Sequence, residues 1–264
     1  MTTILNYITS DLKKLAKPKK ALVLQRFFKT GKGQYGEGDI FLGIIVPEQR
    51  KLVKKYFKQA NLDDIQKLLK SKIHEYRLVA LLTLVEKFKS TFCHPHESED
   101  PQIQRDPRFH GDDRKEIYDF YLKNTRYINN WDLVDLSAPN IIGEYLARNY
   151  ADNNPSAELR GKKILYKLVY SKNLWERRIA ILATATFIRN NQFNDTIKIA
   201  KILLRDKHDL IHKATGWMLR EMGKRDQKQL LKFLDLHKKE MPRTMLRYAI
   251  EKLPEVKRKH YLNK

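Results

Sequence analysis

The run HEYRLVALLTLVEKFKS, His74 to Ser90, constrains the fold more than any other stretch of the 264-residue chain. Wound as a helix, it is apolar round most of its circumference. A helix of that kind cannot lie on a surface; neighbours must cover it on several sides. Its surroundings supply them, because almost every other segment also carries the helical period. PEQRKLVKKYFKQA and NLDDIQKLLKS precede it, and Asn61 is expected to cap a first turn containing Asp63 and Asp64.

Two polar breaks interrupt the pattern after that helix. FCHPHESEDPQIQRDPRFHGDD, Phe92 to Asp113, has no period and reads as a loop. Helical spacing resumes at RKEIYDFYLKNT and runs through INNWDLVDLSAP and IIGEYLARNY. ADNNPSAELRGKK follows as the second break, before ILYKLVYS and five further helical segments ending in PRTMLRYAIEKLP. Pro242 is expected at the first helical position of the last, where a missing N–H costs nothing. Helices of about 11 to 18 residues on short loops, paired at a spacing near 40, predict an all-α HEAT or armadillo-like solenoid of antiparallel pairs. A closed helical bundle fits the same periodicity.

Lys and Arg number 53 against 31 Asp and Glu, a net charge of +22. Such an excess raises affinity for polyanions, so double-stranded DNA is the expected partner, with a ribosomal or anionic-membrane surface the alternative. The start, MTTILNYITSDLKKLAKPKK, has no uninterrupted apolar segment for secretion. No stretch reaches the roughly 18 apolar residues of a membrane span. Cys93 is the one cysteine, which excludes an intramolecular disulfide. A cytoplasmic monomer is expected.

Three stretches place unusual residues. In HDLIHKATGWMLREMGK, Ile211, Ala214, Met218, Leu219 and Met222 form one apolar stripe. Trp217 lies off it, with Lys213, Arg220 and Lys224. It is either a cap on a neighbouring helix or an aromatic platform on a nucleic-acid surface. In INNWDLVDLSAP, Trp131 and Asp135 are four apart and share one side of a helix. Asp132 is turned off that side, so neutralising it should cost much less than neutralising Asp135. An isolated Asp135 could cap a helix or pair with a lysine. Yet a carboxylate on a phosphate-binding surface weakens binding unless it has another task. An indole beside a carboxylate is a plausible cation site.

NLWERRIAILATATF sets Arg177 and Arg178 inside a nearly all-apolar helix. Arg178 emerges among apolar neighbours, either as a buried pair with a carboxylate or as a fork onto one phosphate. Arg243 and Arg247 are candidates for backbone contacts or an ordinary solvated face. Cys93, His94, His96 and His110 make a poor zinc site, because C-H-P-H sets three of the four too close together for tetrahedral geometry and no second cysteine exists. GKGQYGEG has neither dinucleotide-fingerprint spacing nor a phosphate-loop ending. No metal or other cofactor is expected.

The order of VPEQRKLVKKYF, HEYRLVALLTLVEKF, NNWDLVDLSAP, LWERRIAIL, HKATGWMLREMGKR and MPRTMLRYAIEKLP resembles the AlkD-like DNA alkylation repair glycosylases across most of the chain. WDLVD, WERRIAIL and GWMLRE are the most specific pieces. The resemblance implies a single domain over 1–264, a right-handed HEAT-like solenoid with a concave basic face. It implies Trp131, Asp135 and Trp217 as catalytic residues and Arg178, or less directly Arg177, as the backbone-phosphate ligand. Loop insertions at about 92–113 and 151–163 depart from the family, as does FLGIIVPEQR, which lacks the usual tyrosine-glycine opening. The implied activity is hydrolysis of the N-glycosidic bond of N3-alkyladenine and N7-alkylguanine in duplex DNA, the first step of base excision repair. A HEAT-like DNA-binding or damage-sensing module without catalysis is the rival, and a protein-interaction scaffold the third class.

Overall fold

The computed structural model describes residues 3–91, 112–149 and 163–263. The expected loop of Phe92 to Asp113, with its cysteine and three histidines, lies outside them apart from its last two residues. The second break, at 151–163, lies outside them apart from its last residue. Among the described residues the protein is all-α with no strand. One isolated parallel bridge joins Ile40 to Ile73. No described helix is long and apolar enough to cross a membrane. The chain divides into two compact units, Met1–Ser137 and Ala138–Lys264.

In the first unit, α1 (Ile4–Lys14), α2 (Pro18–Phe27), α3 (Val46–Tyr56) and α4 (Leu62–Leu69) precede α5 (His74–Ser90), with α6 (Asp112–Lys123) and α7 (Trp131–Ala138) after it. Asn61 starts α4 as its sequence predicts. Its side chain accepts from the Asp64 N–H while Asp64 returns a bond to the Asn61 N–H, a reciprocal capping box. α5 packs against α3, α4 and α6, and 14 of its 17 residues are buried, so it is covered on every side. Leu78, Leu81, Leu82 and Leu84 are at most 2% exposed. Each contributes about 1.5–3 kcal/mol by leaving water.

In the second unit, Pro139 has no N–H to continue an α-ladder, and Pro139–Gly143 winds as a π-helix before α8 (Glu144–Asn149). Residues 163–169 form the described part of α9. Helices α10 (Leu174–Arg189), α11 (Asn194–Leu203), α12 (Asp209–Arg225), α13 (Gln227–His237), α14 (Arg243–Ile250) and α15 (Glu255–Leu262) follow. They form stacked pairs of the HEAT/armadillo kind: α10 with α11, α12 with α13, α14 with α15. α12 packs on both α10 and α14. Gly216 permits the close approach of α12 to α14, since a Cβ there would sit 2.4 Å from the Met245 carbonyl oxygen. Pro242 stands one residue earlier than expected. Its ψ of 139° leaves it as the residue before α14 rather than the first inside it.

Candidate active site

Helix α7 carries Trp131 and Asp135, both half-buried, and their spacing of four puts them on one side of it. What fixes this helix is a buried polar network. Asp132 accepts from the Leu133 N–H through Oδ1 (2.9 Å), and its Oδ2 lies 2.8 Å from His74 Nε2. The other ring nitrogen of His74 faces Asp39 Oδ2 at 3.3 Å. Asp39 also accepts from Asn130 Nδ2 (3.2 Å), and Asn130 Oδ1 accepts from the Trp131 N–H (2.8 Å). Arg77 Nη2 lies 2.7 Å from Asp39 Oδ1, an ionic contact without hydrogen-bond alignment. Its Nη1 donates to the Ser71 carbonyl.

Burial alone would push His74 down. The Asp132 and Asp39 carboxylates overcome it and raise the imidazole to about 9. Asp39 is held below its usual value by His74 and Arg77, against burial. Next along α5, Glu75 is 1% exposed and accepts three backbone N–H groups, from Leu42, Gly43 and Ile44. Gly43 turns this loop at φ +85°, and a Cβ there would collide with the Lys17 carbonyl oxygen. At the far end of α7, Ser137 donates to the Leu133 carbonyl and accepts from the fully buried Tyr121 hydroxyl. Burial first, and then the charge of Asp135, push that phenol up.

Trp131 stacks on Phe28 (centroids 5.1 Å, 14°) and meets Phe27 edge-on (5.9 Å, 75°). Phe28 stacks in turn on Phe41 (4.9 Å), and Phe41 on His74 (4.5 Å). One indole is thus backed by a column of rings ending at the charged imidazole. The sequence reading missed Phe28, Phe41, His74 and Asp39, which lie 57 to 103 positions before Trp131. Asp132 is expected from its helix position to matter much less than Asp135. At 7% exposure and bound to His74, Asp132 is a structural anchor instead.

The remaining predicted residues belong to the second unit. Ile211, Ala214, Met218, Leu219 and Met222 are buried as expected, and Trp217 is half-buried off their stripe. Its Nε1–H donates to Glu221 Oε1 (3.2 Å). The cations beside it share that carboxylate. Arg220 binds Glu221 and Glu251, and Lys224 Nζ sits 2.8 Å from both Glu221 oxygens. Burial pushes Glu221 up, but Lys224 and Arg220 hold it below its usual value. Lys213 pairs with Asp209 at 2.8 Å. The spacings 217/221, 209/213 and 221/224 carried this signal, since side chains three and four apart meet.

Arg178 is 5% exposed, and its Nη1 donates to the Leu210 carbonyl of α12 (2.5 Å). Arg177 binds Asp206 at 2.6 Å and the Ser171 and Lys172 carbonyls. Arg243 and Arg247 are exposed on α14, Arg243 donating to the Leu262 carbonyl. Among the described residues no group of three or more His, Cys, Asp or Glu side chains is arranged to hold a metal ion.

The family model described as DNA alkylation repair enzyme matches residues 8–253. Among solved structures, the chain is similar to a "Predicted DNA alkylation repair enzyme from Enterococcus faecalis". That likeness has 16% identity and a TM-score of 0.63, covering 91% of this chain and 97% of that one. It is a likeness of fold alone. No curated protein matches. A match over nearly the whole helical array establishes that the chain belongs to the AlkD-like family of DNA alkylation repair enzymes.

Proposed function

We propose that the protein is a DNA glycosylase that hydrolyses the N-glycosidic bond of cationic alkylated purines, N3-alkyladenine and N7-alkylguanine, in duplex DNA. The observation that carries the reading is a half-buried carboxylate, Asp135, sharing a rigidly anchored helix face with the half-buried Trp131, in a chain of net charge +22. Alkylation gives the purine a positive charge and weakens its bond to C1′. When that bond breaks, its electron pair leaves with the base, which departs neutral without an acid. The sugar is left as an oxocarbenium ion. Asp135 stabilises that charge and takes up the proton of the water that adds to C1′. Trp131 contacts the cationic nucleotide through its ring face and edge, and Trp217 is assigned the same task from α12. Each such contact contributes about 0.5–2 kcal/mol. No metal or cofactor is required. The partner is damaged duplex DNA in the cytoplasm, bound by a monomer.

Backbone contacts in this reading come from Lys213, Arg220, Lys224, Arg243, Arg247 and the Arg177–Arg178 pair. If about four phosphates are neutralised, log K for duplex should fall against log salt with a slope near −3.6, about −0.9 for each. A salt-insensitive affinity would point to a protein partner instead. Arg178→Lys should weaken duplex binding and slow base release together, because an ammonium restores the charge but not the fork. It should also lower Tm, since the Leu210 carbonyl loses an aligned donor. A folded Arg178→Lys variant with parental binding and rate would show that only the charge at 178 matters, or that Arg177 is the phosphate contact. The reaction itself is tested by incubating methylated duplex with excess protein, which should release free methylpurines and leave abasic sites.

A further inference from the structure

We propose that His74 is a positioning residue for base release, gripping Asp132 and Asp39 from α5 and thereby fixing the start of α7, which carries Trp131 and Asp135. The proposal rests on reading those two residues as the reactive pair. The geometry favours a device over ordinary core filling. His74, Arg77, Asp39 and Asp132 are all buried, at 2%, 3%, 6% and 7% exposure. Burying two ion pairs carries a desolvation cost at every ion, and apolar side chains of the same volume are often no less stable. What the charged set supplies is direction. Both ring nitrogens of His74 face a carboxylate oxygen. Only the imidazolium can donate to both; a neutral ring would turn a lone pair toward one of them.

His74 reaches the reactive face by two routes. Through Asp132, whose Oδ1 caps the Leu133 N–H, it holds the first turn of α7. Through the stack of Phe41 on Phe28 on Trp131, it backs the indole. Asn130 closes the circuit, joining Asp39 to the Trp131 N–H. The charged groups facing the ring are Asp39 from the loop before α3, Arg77 from its own helix and Asp132 from α7. Glu75 is turned away to the backbone of Leu42 to Ile44. The raised value of His74, about 9, keeps the clamp charged through neutral pH and releases it in the alkaline range.

The test labels the tryptophans with 5-fluorotryptophan and follows the Trp131 fluorine resonance, assigned by Trp131→Phe, from neutral to alkaline pH. In the parent it should shift with a midpoint near 9 while the far-ultraviolet circular dichroism stays constant. In His74→Gln that shift should vanish. With saturating protein on a duplex carrying one N7-methylguanine, His74→Gln should slow base release about tenfold or more, as a small misplacement of a reacting group does, with duplex affinity unchanged. A Trp131 resonance that does not move in the parent overturns the proposal. So does a folded His74→Gln variant with the parental rate. Should His74→Gln not fold, the parent titration still decides. Should the parent release no base, the glycosylase reading fails, while the fluorine titration separately reports whether His74 holds α7.

Discussion

Asp135→Asn should lower the single-turnover rate of base release about 100-fold or more, by analogy with removing a preorganised charge-stabilising group. Its affinity for duplex should equal the parent's or slightly exceed it. Asparagine keeps the shape and hydrogen-bonding reach of aspartate, so the loss isolates the negative charge. A helix-capping role would survive the change, since the two residues cap almost equally well. Binding improves, if it changes, because a negative charge leaves a surface that meets phosphates. The rate is measured with protein in saturating excess, so binding drops out, on a variant with an unchanged melting transition. Asp132 cannot serve as the comparison. Asp119→Asn does, because Asp119 is half exposed in an i,i+4 pair with Lys115, and such pairs contribute little. Equal rates for the parent and Asp135→Asn would remove the assigned mechanism.

The second large effect is on stability. Asp132→Ala should destabilise the fold by about 3–5 kcal/mol near neutral pH, because it leaves the buried His74 cation without its closest partner. The sign of the pH dependence follows from the raised His74 value. A group whose folded pKa lies above its unfolded one stabilises fully below the unfolded value. That contribution fades as pH rises through the folded value, here about 9. The penalty of Asp132→Ala should therefore shrink as pH rises from neutral toward about 9, where His74 loses its proton in the parent. Denaturant unfolding at neutral and alkaline pH measures both quantities. A penalty under about 0.5 kcal/mol, the range of ordinary surface substitutions, would show that Asp132 anchors nothing.

The elements were legible where one helix carried its own signal. His74–Ser90 reads as a covered helix from its apolar circumference and is one. Asn61 reads as a cap and makes the full box. The apolar stripe of α12 is buried, with Trp217 off it. Periodicity fails where the partner is remote in sequence. His74 looks like one more polar residue at a helix start until Asp39 and Asp132, 35 before it and 58 after it, meet its two nitrogens. The cations of α12 read as a bare positive face by charge alone, but Glu221 on the same helix pairs with Arg220 and Lys224. Arg178 reads equally well as packed or as phosphate-facing. At 5% exposure it is packed, with its guanidinium donating to the Leu210 carbonyl.

The proposed activity is removal of cationic purines from duplex DNA. The most direct measurement pairs two duplexes of one sequence, one carrying a single N7-methylguanine and the other its uncharged 7-deaza isostere, each with excess protein under single-turnover conditions. The account predicts release of 7-methylguanine at least about 100-fold faster than without protein, a modest share of the accelerations enzymes achieve, and no release of the neutral isostere, although both duplexes bind. Release of 7-methylguanine no faster than in protein-free buffer, with both duplexes bound, would contradict the account and leave a DNA-binding module without catalysis.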